Sequence, residues 1–237
     1  MEKQTKVAAI VLAAGSGKRM HSSVKKQYME LLGYPVIYYS LLAFEKYGVD
    51  QIVLVTGAED IEYCQEHIVK RYGFQKVNQI VAGGKERYHS VMEGLKVVED
   101  ADYVLIHDGA RPCLTPAVIA RCIQDAGQYG ACAAAVPSKD TIKIADEEGF
   151  AAQTPPRSQV YLIQTPQAFS MELIQRAYET MKQSDLTGIT ITDDAMAVEC
   201  FTNERVKLTE GDYENIKVTT PEDLSTAEMF LKNRQVQ

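Results

Sequence analysis

No apolar run in this chain approaches the roughly 20 residues that a bilayer-spanning helix requires, and the first residues, MEKQTK, lead into a short apolar strand rather than a signal peptide. Positive charge is in deficit. Lys and Arg total 25 against 32 Asp and Glu, a net charge of −7 that argues against nucleic acid or an anionic membrane surface as the main partner. An anionic ligand would therefore need a local cluster of cations. Cysteine is sparse and odd in number: Cys64, Cys113, Cys122, Cys132 and Cys200 contain no C-x-x-C pair, which disfavours both a disulfide framework and a zinc site and fits a reducing cytosol. Repeats and low-complexity tracts are also missing. The expectation is a cytoplasmic protein without membrane or nucleic-acid partners.

What is present is a chain 46% hydrophobic and 24% charged, enough for one large domain over residues 1–237 with an ample core. Short β-branched runs alternate with stretches of helical period. KVAAIVLA, QIVLVTG, VNQIVAGG, YVLIHDG and GACAAAVP read as strands. Helices are expected from Pro35 to a stop at Gly48, over Glu59 to Tyr72, over Arg87 to Glu99, and after the Thr115-Pro116 cap. A last one follows Thr220, with Pro221 at its first position and Asp223 completing an acidic capping box. Nearly continuous apolar strands separated by helices predict a doubly wound, Rossmann-like α/β fold with a mostly parallel twisted sheet. After Pro137 the rhythm breaks. DTIKIAD reads as a strand, and the polar stretch EEGFAAQTPPRSQ leads on to VYLIQTP. Residues 138–160 are thus expected to form a β-arm projecting from the body to pack on a second copy in a homodimer, or else a solvated loop.

The first strand runs into LAAGSGKRM. A dinucleotide fingerprint would need a third glycine where Met20 stands, and an acidic residue after the second strand. A Walker loop would need a hydroxyl where Arg19 follows Lys18, and its leading glycine position holds Leu12. Both patterns fail. What remains is a glycine turn able to bring amides close to phosphate, or a plain strand-to-helix turn. Other segments point to the same strand edge: KKQY supplies Lys25 and Lys26, GGKERYHSV supplies Arg87 and Ser90 on the first turn of a helix, and HDGARP supplies Asp108 and Arg111. A lone carboxylate directly after an apolar strand suits magnesium carried with substrate phosphates, or serves as a cap.

LAAGSGKRM, KKQY, GGKERYHSV, HDGARP, VPSKDTIK, QTPQAF, TDDA and EGDYENIKVTTPEDL occur in the order seen in methylerythritol phosphate cytidylyltransferases, which the chain resembles over almost its whole length. The resemblance implies CMP transfer from CTP to 2-C-methyl-D-erythritol 4-phosphate, giving 4-diphosphocytidyl-2-C-methyl-D-erythritol and pyrophosphate in non-mevalonate isoprenoid synthesis, by a magnesium-dependent homodimer. It further implies that Ala13, Ala14, Gly15 and Gly17 wrap CTP and that Arg19 and Lys26 stabilise the α-phosphate. Gly84, Arg87 and Ser90 would contact the nucleoside side, and Asp108 would hold the magnesium with Arg111 supporting its loop. Lys217 would position the acceptor phosphate. Thr141 and Arg157 on the arm would reach the partner's substrate, and Thr165 and Thr192 would complete the sugar-phosphate pocket.

Two departures stand out. Lys25 precedes Lys26 where relatives often carry proline, leaving open which lysine faces phosphate, and Glu214 replaces an aspartate found in some relatives. The Asp193-Asp194 pair of TDDA reads either as substrate-orienting or as a helix cap. A phosphate monoester is mostly a dianion near neutral pH, its second pKa being about 6. It needs no general base, so His107 is expected to have no proton-transfer role. The nearest rival acceptor is ribitol 5-phosphate. An NAD-dependent dehydrogenase is disfavoured by the failed fingerprint, and a non-catalytic nucleotide sensor by the retained cations and Asp108.

Overall fold

A computed structural model describes residues 5–15, 20 and 24–235. The chain begins with β1 (Val7–Leu12), followed by a small hairpin of β2 (Glu30–Leu31) and β3 (Tyr34–Pro35), then α1 (Val36–Lys46) and β4 (Gln51–Thr56). Next come α2 (Ile61–Tyr63), which runs on as a π-helix over Cys64–Lys70, then β5 (Val77–Ala82), α3 (Arg87–Leu95), β6 (Tyr103–Asp108), α4 (Pro116–Tyr129) and β7 (Ala131–Pro137). The second half holds β8 (Ile144–Ala145), β9 (Ala151–Gln153), β10 (Tyr161–Ser170), α5 (Met171–Gln183), α6 (Asp194–Phe201), β11 (Lys207–Glu210) and α7 (Pro221–Gln235).

Seven strands form one sheet in the order β11-β7-β10-β6-β1-β4-β5. All pairings are parallel except those of β10, which runs against both β6 and β7. The apolar runs explain the layering. In β1, Val7, Ala9 and Val11 belong to one apolar cluster with Ile37, Leu41 and Phe44 of α1 and Val118 and Ile119 of α4. Ala8 and Ile10 face the opposite layer, where Val91 of α3 and Ile174 and Tyr178 of α5 lie. A strand buried on both faces must be apolar throughout, as this one is. A third cluster joins Leu31, Val36 and Cys113 to Val218 and Ala227, seating α7 against the β2–β3 hairpin.

Winding proceeds from β1 outward to β4 and β5, then returns to β6 on the other side of β1. Strand order therefore reverses between β1 and β6, and the crevice beyond their carboxyl ends is where such sheets bind ligands. Leu12 stands opposite Asp108 in the β1–β6 register.

Several expected boundaries move. The helix expected over Arg87 to Glu99 stops at Leu95, where Lys96 and Val97 donate backward to Met92 and Gly94 in a closing turn. The Glu59-to-Tyr72 helix opens as a 3-10 turn and widens into the π-helix. The strand expected over Asp140 to Asp146 shrinks to β8, because its only strand partner is β9 and neither pairs with the main sheet. Asp146 closes the tip of that hairpin, its Oδ1 accepting from the amides of Glu148 and Phe150.

Candidate active site

The loops beyond the sheet are laced together before any side chain acts. The Ala13 amide donates to the Val55 carbonyl at 2.6 Å, the Gly83 amide to Thr56 at 2.7 Å and the Gly109 amide to Leu12 at 2.9 Å. Two glycines make this closeness possible. A Cβ on Gly83 would stand 2.5 Å from Cβ of Ala14, and one on Gly109 would stand 3.1 Å from the Leu12 carbonyl oxygen. The result is a cavity of about 470 Å³ lined by Leu12, Ala13, Ala14, Gly15, Lys26, Gln27, Gly84, Lys85, Glu86, Arg87, Ser90, Asp108, Ala110 and Lys217.

Asp108 is its electrostatic centre. One carboxylate oxygen lies 2.7 Å from Nζ of Lys217 and 3.9 Å from Nε of Arg111, and the other lies 3.5 Å from Nε of Arg87. Burial alone would favour the neutral acid. The three cations outweigh it and hold the carboxyl well below the usual carboxylate range, so Asp108 stays ionised. Behind it, the Asp108 amide donates to Oγ1 of Thr165 at 3.0 Å, and that hydroxyl meets Nδ1 of His107 at 3.0 Å. Burial pushes the His107 pKa down to about 3, leaving a neutral ring that faces the core rather than the cavity.

Arg87 is set by α3, whose first residue it is. The Gly84 amide donates to Oγ of Ser90 at 3.1 Å, and Ser90 donates to the Glu86 carbonyl at 3.3 Å, closing the turn that delivers the guanidinium. Its far end lies 2.8 Å from the fully buried Asp194 carboxylate, which also accepts from the Tyr178 hydroxyl at 2.6 Å. Burial opposes the guanidinium charge, but Asp194 and Asp108 outweigh burial and raise the Arg87 pKa. Lys217 arrives on a loop fastened by Asn215, which donates to the Thr165 carbonyl at 2.8 Å and whose own carbonyl accepts from Arg111 at 2.7 Å.

The turn at Lys26–Tyr28 separates neighbouring residues in space. Lys25 turns away, bonding Glu59 and, at 2.6 Å, Asp60. Lys26 lines the cavity, its Nζ donating to the Val218 carbonyl at 3.1 Å. This resolves which of the two lysines faces the site.

The structure thus gathers Ala13, Ala14, Gly15, Lys26, Gly84, Arg87, Ser90, Asp108 and Lys217 around one cavity, with Arg111 directly behind. Gly17 and Arg19 lie outside the described residues. Thr165 does not line the cavity: it is buried under the Asp108 strand end. Thr192 is exposed and meets Sδ of Met196 at 3.5 Å, just ahead of α6. Thr141 and Arg157 sit on the exposed segment around the β8–β9 hairpin, with Arg157 within 3.5 Å of the Lys139 carbonyl. Asp193 caps α6 by accepting from the Met196 amide at 2.8 Å, and Glu214 clasps Arg234 at 2.8 Å, so neither lines the cavity. Sequence reasoning gave Gln27, Tyr178 and Asn215 no part. All three are buried here, and only Tyr178, on the apolar stripe of α5, carries a signal in the sequence.

This architecture has counterparts. A family profile described as 2-C-methyl-D-erythritol 4-phosphate cytidylyltransferase matches residues 7–233. The chain belongs to that family. A cytidylyltransferase of that name from Lachnoclostridium phytofermentans is 51% identical over 97% of this chain and 98% of its own length, and one from Clostridium kluyveri is 48% identical over 96% and 97%. Among solved structures, 4-diphosphocytidyl-2C-methyl-D-erythritol synthase from Anaerococcus prevotii superposes with a TM-score of 0.83 at 35% identity, covering 96% of this chain and 99% of that one. The cytidylyltransferase from Thermus thermophilus gives 0.75 at 25% identity over 96% and 100%.

Proposed function

We infer that this cytidylyltransferase moves CMP from CTP to 2-C-methyl-D-erythritol 4-phosphate, releasing pyrophosphate, as its family membership implies. The observation that carries the reading is the convergence, at the sheet's switch point, of the Ala13–Gly15 turn with Lys26, Arg87 and Lys217 about one ionised carboxylate. An oxygen of the acceptor phosphate attacks the α-phosphorus, the new P–O bond forms, and the bond to the β-phosphate bridge breaks with both electrons leaving on pyrophosphate. The acceptor is already ionised, so no side chain need remove a proton, in keeping with a His107 that stays neutral and buried. Catalysis is then positioning and charge stabilisation. Loop amides and Lys26 would attend the triphosphate, and Lys217 the acceptor phosphate.

Magnesium fits these residues only as an ion shared with the nucleotide. No three His, Cys, Asp or Glu side chains gather as an all-protein cage among the described residues, whereas Asp108 offers one ionised carboxylate at the cavity wall. Asp108 would hold it, and the ion would neutralise charge across the phosphates. We propose a homodimer with the 138–160 arm as its contact and Thr141 and Arg157 directed toward the second copy. The exposure of Ile144, Phe150, Leu162 and Ile163 supports this reading. A cytoplasmic location is supported by five free cysteines.

The test supplies CTP and magnesium with methylerythritol phosphate or ribitol 5-phosphate and follows pyrophosphate release. Turnover with the first is expected. Turnover with ribitol 5-phosphate alone would overturn the acceptor while sparing the reaction class.

A further inference from the structure

We propose that Gln27 is a positioning residue that sets the anion-binding turn after β1, an inference that rests on the cytidylyltransferase reading above. Gln27 is only 2% exposed, yet its carboxamide nitrogen donates to two carbonyls of that turn, Ala13 at 2.6 Å and Gly15 at 3.3 Å. Both neighbours are acceptors, which fixes the amide nitrogen toward the turn. In a trans peptide the C=O and N–H groups point to opposite sides. Holding the Ala13 carbonyl down toward Gln27 therefore turns the Ala14 amide, which shares its peptide, the other way. Ala14 lines the cavity, so a single side chain beneath the turn orients an amide donor for phosphate above it.

The side chain is itself firmly placed. Its neighbours are tethered elsewhere: Lys25 to Glu59 and Asp60, and Tyr28 through its hydroxyl to the buried Thr56 at 2.8 Å and Cys64 at 3.2 Å. Gln27 is the one residue of this short turn that is buried outright. The same turn puts Lys26 into the cavity. Phosphate-directed charge and the support for a phosphate-directed amide are thus delivered by adjacent residues.

Gln27→Met keeps length and removes both donors. A misplaced turn is expected to lower kcat/KM for CTP by about 10²-fold, while KM for the acceptor changes less than about twofold. Gln27→Glu adds a distinct signature. A buried carboxyl facing carbonyl oxygens has a raised pKa, and when protonated it can donate once. Its activity relative to wild type is therefore expected to rise as pH falls from about 8 to 6. Wild type is assayed in parallel. Wild type inactive with CTP and methylerythritol phosphate would sink the functional reading itself. Active wild type with an equally active Gln27→Met, or with equal losses for both substrates, would overturn the positioning role. Should Gln27→Met fail to fold, a Gln27→Glu profile parallel to wild type would overturn it instead.

Discussion

Arg87, at the head of α3, places its guanidinium 2.8 Å from the buried carboxylate of Asp194, at the head of α6. The contact joins two helices on the same face of the sheet and aims a cavity-lining cation from behind. Tyr178 of α5 completes the arrangement by donating to the same carboxylate. Removing Asp194 leaves the buried guanidinium with only its longer contact to Asp108, so Asp194→Asn is expected to cost about 3 kcal/mol in urea unfolding. Tyr178→Phe removes one hydrogen bond to a charged group, about 1.5–3 kcal/mol. Because both act on one carboxylate, the double variant should lose less than the sum. Additive losses would show that the three residues do not act as a unit.

His107 gives stability a pH dependence of definite sign. Its folded pKa is depressed by burial to about 3, whereas an unfolded histidine titrates near 6.5. Stability from the neutral ring is complete above the unfolded value and is lost as pH falls toward the folded one, since only the unfolded chain then takes the proton. One unit below 6.5, at about pH 5.5, the loss is roughly 1.4 kcal/mol. The groups facing the ring are Thr165, Asp108, Arg111 and the edge of Phe44. Asp108, also depressed, loses its contribution only below the ordinary aspartate range. Urea midpoints between pH 7.5 and 5.5 should therefore fall in wild type and fall less in His107→Gln, whatever the variant's starting stability. Equal falls would contradict this account.

Much of the site is legible in the sequence because its residues stand at abrupt junctions, where an apolar strand meets glycine and charge. LAAG, GGKER and HDGAR are such junctions, and the parallel winding brings all three to one edge. Their partners follow a different logic. Asp194 meets Arg87, and Asn215 meets Thr165, only because distant segments pack together, and no local spacing encodes that. The reversal of β10 is equally silent, since an apolar strand reads the same whether its neighbours run parallel or against it. The omission of α5 is of another kind. Met171, Leu173, Ile174, Ala177, Tyr178 and Met181 form a buried stripe at helical spacing after the Ser170 cap, a pattern open to sequence reading.

Lys25 and Lys26 are adjacent in the chain and opposite in consequence. The Lys25 ammonium is held by Glu59 and Asp60 at a partly exposed position, where such pairs contribute about 1 kcal/mol or less. Lys25→Ala should therefore leave kcat within about threefold, since charge at the reacting centre is unchanged. Lys26 stands on the cavity wall, bridging toward the loop that carries Lys217 through the Val218 carbonyl. If its charge meets the α-phosphate as pyrophosphate departs, Lys26→Ala removes a preorganised donor, worth about 3–4 kcal/mol or 10²–10³ in kcat. Thermal unfolding should shift little, because the side chain sits at the half-buried edge of the cavity rather than in the core. Steady-state kinetics on the two variants decide the matter. A large loss in Lys25→Ala with near-normal turnover in Lys26→Ala would mean that the turn at Lys26–Tyr28 presents the other lysine to substrate.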